Sequence, residues 1–268
     1  MPRNFVDAHL HLQDQRLIDK KSIIAQAEAS GICRFFCNAT EEHDWPHVVN
    51  LAQADSRVIP FLGIHPWFCE TVAAGWQQRL RKQLCSCPHE AGIGETGLDR
   101  SRSTDVQSQQ KLFEAHLEIA ADLGLPVAVH CVRSWEALLN SIKHCSTGRM
   151  VPKLMVHAYN GSKETMHRLV ELGCFISYST ALANPRNTKI REAFLQTPVS
   201  ALLLETDSPF QYTPELIAAN HDKTTCNEPK YVSHLYQFAA DLRAIPLVDL
   251  AKTIWENATI FTNKTPLR

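Results

Sequence analysis

Short apolar runs alternate with amphipathic segments along this chain. The first run, residues 4–12, is apolar and rich in strand-favouring residues, and it ends by presenting His9 and His11. An amphipathic segment follows over residues 20–30, and Gly31 behind it fits the C-cap of a helix. The beginning of the chain therefore predicts a strand followed by a helix.

The same alternation continues into the C-terminal region. Apolar runs predict strands at residues 4–12, 32–39, 57–64, 91–99, 125–129, 153–156, 174–178 and 200–207. Amphipathic segments predict helices at residues 20–30, 41–54, 75–84, 105–123, 134–144, 162–172 and 186–195, with two more at 228–242 and 247–261. About eight strands that alternate with helices are typical of a (β/α)8 barrel, and an open doubly wound sheet is the alternative.

Polar residues at the ends of the predicted strands favour the barrel. They follow apolar runs along the whole chain, and a closed barrel brings all such ends to one face, whereas an open sheet would spread them out. We therefore expect residues 1–268 to form a single (β/α)8 barrel domain of the α/β class, with the last two helices in its outer layer.

Composition narrows the function classes. The 268 residues are 44% hydrophobic and 21% charged, which is an ordinary globular balance. A net charge of −1 gives no basic surface, so a nucleic-acid partner would have to be held by a local patch or by metal. Nine scattered cysteines, an odd number, suit a reducing cytoplasm better than a disulfide framework.

The N-terminus begins directly with a strand and lacks the basic and apolar regions of a secretory signal. No apolar stretch is long enough to span a membrane. We therefore expect a cytoplasmic protein with no membrane partner, and nothing in the sequence implies an obligate protein partner.

Ligand-type residues stand at the ends of several predicted strands. His9 and His11 are two apart, so in an extended backbone both side chains point to one face. Later runs end in further residues of this type, namely His65, Glu95, His130, His157 and Asp207. Each alone has an ordinary explanation: Asp207, for example, fits a cap for the turn at Ser208 and Pro209. Together they suffice for two metal ions that activate water and neutralise phosphoryl charge, and mixed nitrogen and oxygen ligands suit zinc or manganese.

Six segments carry a resemblance to a known family. The segments 7–11, 63–66, 92–99, 125–130, 157–162 and 204–209 resemble, in order, the successive motifs of the TatD family, and residues 227–229 and 257–261 resemble its C-terminal signatures. The family consists of metal-dependent hydrolases with deoxyribonuclease members, on amidohydrolase-type barrels. The resemblance implies two divalent ions (Zn, Mn or Mg), DNA or another phosphoester as substrate, and exonucleolytic action on single-stranded ends.

The resemblance also implies roles for the residues at the strand ends. His9 and His11 would bind one ion with Asp207 nearby, and Glu95 would bridge to a second ion held by His130 and His157. Asp207 would also be the catalytic base, and His65 would contact the phosphate or the leaving group. The residues expected to be catalytic are thus Asp207, Glu95 and His65, and those expected to bind substrate are His65, Arg133, Asn160 and Ser162.

The residues expected to contact substrate depart from the family pattern. Arg133 comes one residue later than the family's arginine, and Tyr159 and Asn160 stand where phenylalanine is frequent. Arg100, Ser101 and Arg102 replace aromatic residues. Because fold does not fix substrate, hydrolysis of another ester or amide, such as an aminoacyl ester, is the alternative. A non-catalytic binding barrel is a third possibility, which the complete set of ligand-type residues disfavours.

Overall fold

The computed structural model describes residues 4–88, 90–102, 105–145, 151–211 and 226–264. Strands β1 to β8 are Phe5–Leu10, Ile32–Asn38, Val58–Leu62, Gly92–Asp99, Val127–Val132, Leu154–Val156, Phe175–Tyr178 and Leu202–Leu204. Helices α1 to α9 are Lys20–Ala29, Trp45–Ala54, Trp76–Cys85, Val106–Leu123, Trp135–Cys145, Lys163–Glu171, Thr188–Gln196, Val232–Arg243 and Leu247–Thr262. Short 3-10 turns lie at Glu42–Asp44, Pro66–Phe68, Thr180–Ala183, Val199–Ala201 and Pro229–Tyr231.

The eight strands lie in one sheet in the chain order β1 to β8. Strand and helix alternate from β1 to β8, which confirms the predicted (β/α)8 barrel and excludes the doubly wound order. Most elements lie where the hydrophobic pattern places them, although their ends differ. The strand predicted at residues 125–129 continues to Val132, and that predicted at 200–207 is only Leu202–Leu204.

The chain divides into two compact units, and the first consists of residues 1–37 and 157–260. In this unit β1 pairs in parallel with β2, and β7 with β8. The backbone beyond β8 lies against β1, because Asp207 N–H donates to the His9 carbonyl at 2.9 Å and His11 N–H donates to the Ser208 carbonyl at 2.7 Å. The first strand and the segment after the last strand thus lie side by side.

The two C-terminal helices pack on this unit, as predicted. Tyr236 of α8 donates its hydroxyl to the Val6 carbonyl at 3.1 Å, and its ring lies 4.5 Å from that of Phe5. Asn257 of α9 donates to the Leu202 carbonyl at 2.9 Å, at the start of β8. Both side chains are buried, and these bonds give their polar groups the partners that burial requires.

The second unit consists of residues 38–156 and 261–268. Here β3, β4, β5 and β6 pair in parallel in that order. Gly97 of β4 has φ +146°, and a Cβ there would lie 2.0 Å from the His130 carbonyl oxygen of β5. Only glycine permits this approach, and the pairing of β4 with β5 continues through it to Asp99 and Val132. This pairing is why His130 lies inside β5 and not at its end.

Among the residues described, no helix is both long enough and apolar enough to cross a bilayer.

Candidate metal centre

The first unit holds a group of ligand-type side chains at the end of β1, which we call the Asp207 cluster: His9, His11 and Asp207. The two Nε2 atoms of the histidines are 3.3 Å apart. Asp207 Oδ1 lies 3.5 Å from His11 Nε2 and 3.9 Å from His9 Nε2. All three residues are buried. Two imidazole nitrogens and one carboxylate oxygen facing each other at this spacing suit a divalent cation such as zinc or manganese.

Local backbone structure aims the Asp207 carboxylate. Asp207 has φ +57°, a left-handed conformation that aspartate tolerates better than most residues. The preceding Thr206 donates its N–H and hydroxyl to the Asp7 carboxylate of β1, at 2.8 and 2.6 Å. Gln211 Nε2 donates to Asp207 Oδ2 at 2.9 Å, which leaves Oδ1 facing the histidines. The orientation of Asp207 is therefore fixed from both sides.

The environment of Asp207 favours its ionised form. Burial by itself would raise the pKa of Asp207, but the hydrogen bond to His11 and the nearby imidazoles of His157 and His9 outweigh burial and lower it. Asp207 is thus a carboxylate at neutral pH, as a cation ligand and a proton acceptor must be.

His157 lies against the same cluster. Its ring stacks on that of His9 with 3.8 Å between centroids. Its Nδ1 lies 3.3 Å from Glu205 Oε1, and the same oxygen accepts the Ala158 N–H at 2.7 Å. Glu205 is fully buried. A carboxylate on one ring nitrogen is the usual support of a metal-ligating histidine, so His157 has the surroundings of a ligand.

The second unit holds the Glu95 cluster: His65, Glu95 and His130. Glu95 Oε1 lies 2.8 Å from His130 Nδ1 and 3.4 Å from His65 Nε2. Glu95 and His65 are buried, and His130 is partly exposed. Neighbouring ligands on one ion with bonds of about 2.0–2.2 Å lie roughly 3 Å apart, so Glu95 and His130 have the spacing of a ligand pair.

His65 differs from the other histidines of these clusters. Its Nδ1 accepts the Trp67 backbone N–H at 3.2 Å. The neutral ring therefore carries its proton on Nε2, the atom that faces Glu95. This tautomer makes His65 Nε2 a hydrogen-bond donor. The contact of His65 with a phosphate or a leaving group stays a prediction.

Asp99, to which the sequence pattern assigns no role, contacts His130 of the Glu95 cluster. Its Oδ2 accepts from His130 Nε2 at 2.9 Å and from Trp67 Nε1 at 2.8 Å, and its Oδ1 accepts the Ser101 N–H at 2.6 Å. Burial alone would raise the pKa of Asp99, but the bonds from His130 and Ser101 hold it well below its usual range. Its spacing from Glu95 was a usable signal, because residues four apart in a strand share a face.

Three further residues were predicted to bind substrate: Arg133, Asn160 and Ser162. Arg133 and Asn160 are exposed, and Arg133 has a left-handed backbone with φ +52°. The Ser162 hydroxyl accepts the Thr165 N–H at 3.3 Å and so caps α6. The substrate roles of these three residues stay predictions.

The sequence was compared with known families and proteins. The model of the family described as TatD related DNase matches residues 6–263. The chain belongs to the TatD related DNase family. Over 261 residues it is 27% identical to the metal-dependent hydrolase YjjV of Escherichia coli K12, covering 96% of this chain and 97% of that protein. It is 29% identical over 245 residues to the 3'-5' ssDNA/RNA exonuclease TatD of Musicola paradisiaca, covering 90% of each chain.

A solved structure agrees with this assignment. The crystal structure of Escherichia coli YjjV, a TatD homologue, superposes with a TM-score of 0.88 at 26% identity, covering 99% of this chain and 100% of that one. This TatD-family chain is accordingly a metal-dependent hydrolase that acts on ester bonds, and its fold is the family's barrel.

Asp99→Asn is expected to weaken metal affinity and turnover by about 10–100-fold, the usual cost of removing a carboxylate that supports a metal-ligating histidine. Asparagine keeps an acceptor oxygen for Trp67 but loses the charge that orients the His130 ring. Metal titration and kcat measure both effects. Asp122→Asn, which removes an exposed ion pair with Arg81, is the matched control. Equal values for the two variants would contradict a role for Asp99.

Proposed function

We propose that this TatD-family hydrolase is a nuclease that removes nucleotides from the 3' ends of single-stranded DNA or RNA. The observation that carries the proposal is the presence of two groups of facing imidazoles and carboxylates, the Asp207 and Glu95 clusters, in which every residue except the partly exposed His130 is buried. Relatives named as 3'-5' ssDNA/RNA exonucleases, matched over most of their length, support the substrate class and the polarity.

The donor atoms of the two clusters suit one divalent cation each. His9, His11 and Asp207 would hold one ion, and Glu95 and His130 the other, with His157 at one of them. Bound divalent ions would polarise a phosphoryl oxygen and make an attacking water more acidic. Their mixed nitrogen and oxygen ligands favour zinc or manganese, with magnesium as a further candidate. The bridging role of Glu95 stays a prediction.

The protein's own groups then act on the substrate. Asp207 Oδ1, which Gln211 does not engage, has two lone-pair sites and can contact both an ion and the attacking water. The ionised Asp207 then accepts a proton from that water. With substrate bound, the Nε2–H of His65, which here faces Glu95, would instead donate to a phosphate oxygen or to the leaving group. Asp99 holds His130, and Glu205 holds His157, so that neither imidazole reorients during the reaction.

Cleavage of single-stranded DNA labelled at its 3' or 5' end, with and without chelator, tests the proposal. We expect the 3' label to be released as a mononucleotide in manganese, magnesium or zinc, and chelator to abolish release. Unchanged activity after exhaustive chelation would rule out the metal mechanism. If DNA and RNA resist cleavage while carboxylic or aminoacyl esters in a parallel panel are hydrolysed, the alternative substrate class would replace this one.

A further inference from the structure

An exposed aromatic side chain lies beside the Asp207 cluster. Phe210 follows Asp207 by three residues, and its backbone N–H donates to the Asp207 carbonyl at 2.8 Å. Its ring meets the His11 ring edge-to-face, with 5.5 Å between centroids and an angle of 89°. Nevertheless 41% of Phe210 is exposed. Part of this aromatic ring is therefore open to solvent directly beside a candidate metal ligand.

The Arg16 guanidinium lies over this ring, 4.2 Å from its centroid. Asp14 holds that guanidinium by two bonds, Nε to Oδ1 at 2.9 Å and Nη2 to Oδ2 at 2.7 Å. The fork that an arginine would offer to a phosphate is therefore already engaged by a carboxylate, and the pair carries no net charge. The Arg16 side chain nevertheless stays 49% exposed.

Hydrogen bonds within the protein hold the loop that carries Arg16 before any ligand binds. Lys20 Nζ donates to the carbonyls of Asp14 and Leu17, at 3.2 and 2.9 Å. Asp14 N–H donates to the His11 carbonyl at 3.0 Å, which ties the loop to the cluster itself. A ligand that stacks on Arg16 and Phe210 would not have to order the loop on binding, which preserves affinity.

We propose that Arg16 and Phe210 form a stacking surface for the unpaired terminal base of the nucleic acid that is cleaved at the Asp207 cluster. This inference rests on the proposed nuclease function. Proteins that bind single strands stack bases on aromatic rings and guanidinium planes. Because every base has a flat face, such a surface accepts any sequence, and because a paired base is already stacked, it favours single-stranded ends.

The same construction recurs in the other unit. The Trp67 ring meets that of His65 with 4.7 Å between centroids, and the Arg102 guanidinium lies 3.5 Å from the Trp67 centroid. Trp67 also donates to Asp99, so its removal would disturb His130 as well. The Phe210 side chain touches His11 through its ring and donates no hydrogen bond to a cluster, so the test is made at Phe210 and is read as a ratio between two substrates.

The test uses two single-stranded DNAs of one sequence, one with a normal 3'-terminal base and one with an abasic 3'-terminal nucleotide. We expect wild-type kcat/KM to favour the normal end by about 10-fold, within the range measured for stacking one base. Phe210→Ala should lose this preference, chiefly through a higher KM for the normal end, so that the ratio of kcat/KM for the two ends falls to about one. Phe210→Trp should retain the preference, and Phe210→Leu, which keeps apolar bulk without a ring, should not.

Arg57 supplies a matched control for Arg16. Asp55 holds Arg57 by the same two bonds, at 2.9 and 2.7 Å, but Arg57 precedes β3 at the N-terminal end of that strand, where barrel enzymes do not place their active sites. Arg16→Gln should reduce the preference for the normal end, and Arg57→Gln should leave it unchanged. Equal effects of the two variants would overturn the proposal.

Two further results would also overturn it: a wild-type enzyme that cleaves both ends equally well, or a Phe210→Ala variant that loses activity equally on both. Failure of the wild type to cleave either DNA in manganese would instead count against the nuclease function. In that case the affinity for the same two DNAs, measured by fluorescence anisotropy in manganese, tests the stacking surface independently of cleavage. Tighter binding of the normal end by wild type but not by Phe210→Ala supports it, and equal binding by both proteins contradicts it.

Discussion

Asp207→Asn is expected to lower kcat by about 10²–10⁴-fold, the usual contribution of a positioned general base. Asparagine keeps the size of the side chain and one acceptor oxygen, but it cannot take a proton from the attacking water. Asparagine also tolerates left-handed backbone well, so φ +57° at this position causes no new strain. The variant should therefore fold, and it should retain much of its metal.

The measurement is kcat on single-stranded DNA together with metal content per chain. If Asp207 served only to cap the turn at Ser208 and Pro209, asparagine would replace it with little loss, because asparagine is itself a good cap. Asp105→Asn is the matched control, since Asp105 caps α4 by accepting from Gln107 and Ser108. A metal-loaded Asp207→Asn enzyme as active as Asp105→Asn would show that Asp207 is structural.

Glu95→Ala is expected to cost more than alanine at any of His9, His11, His130 or His157, with a loss of about 10³-fold or more in kcat/KM. Glu95 Oε1 is the carboxylate atom nearest both His65 Nε2 and His130 Nδ1. Its removal takes away a charged ligand and also the group that the His65 proton faces. If Glu95 in addition bridges two ions, metal content should fall at both sites.

Steady-state kinetics and metal analysis of all five alanine variants test this ranking. Glu95→Gln is the matched control for volume, because it fills the same space without the charge. Loss of only one ion from Glu95→Ala would exclude the bridge while leaving Glu95 as a ligand. A histidine variant that is less active than Glu95→Ala would contradict the ranking itself.

The hydrophobic pattern was sufficient for the fold because most strands are apolar runs bounded by polar residues. The hydrophobic pattern could not predict where a strand ends when that end depends on pairing with the adjacent strand. His130 lies within β5 because Gly97 lets β4 approach it, and that approach appears only when the two strands are paired. β8 stops at Leu204 although apolar character predicts strand to residue 207, since Thr206 is held by Asp7 instead of by strand pairing.

The candidate ligands could be named from the sequence because a histidine or carboxylate at the end of an apolar run is uncommon, and this chain has several. The residues that contact and orient these candidate ligands could not be predicted in this way. Gln211 and Phe210 follow Asp207 in sequence as ordinary loop residues, and nothing in the pattern brings Arg16 to Phe210. Such contacts depend on side-chain directions in loops, which hydrophobic periodicity does not encode.

The hydrogen bonds between the backbone at His9 and that at Asp207 have a consequence for biosynthesis. A ribosome makes about 5–20 residues per second, so the second half of the Asp207 cluster emerges on the order of ten seconds or more after the first. Throughout that interval the nascent chain has the two histidines but not the carboxylate that completes the cluster. On the proposed mechanism we therefore expect the chain to be inactive while it is being made, and a chain released before residue 207 to lack hydrolase activity.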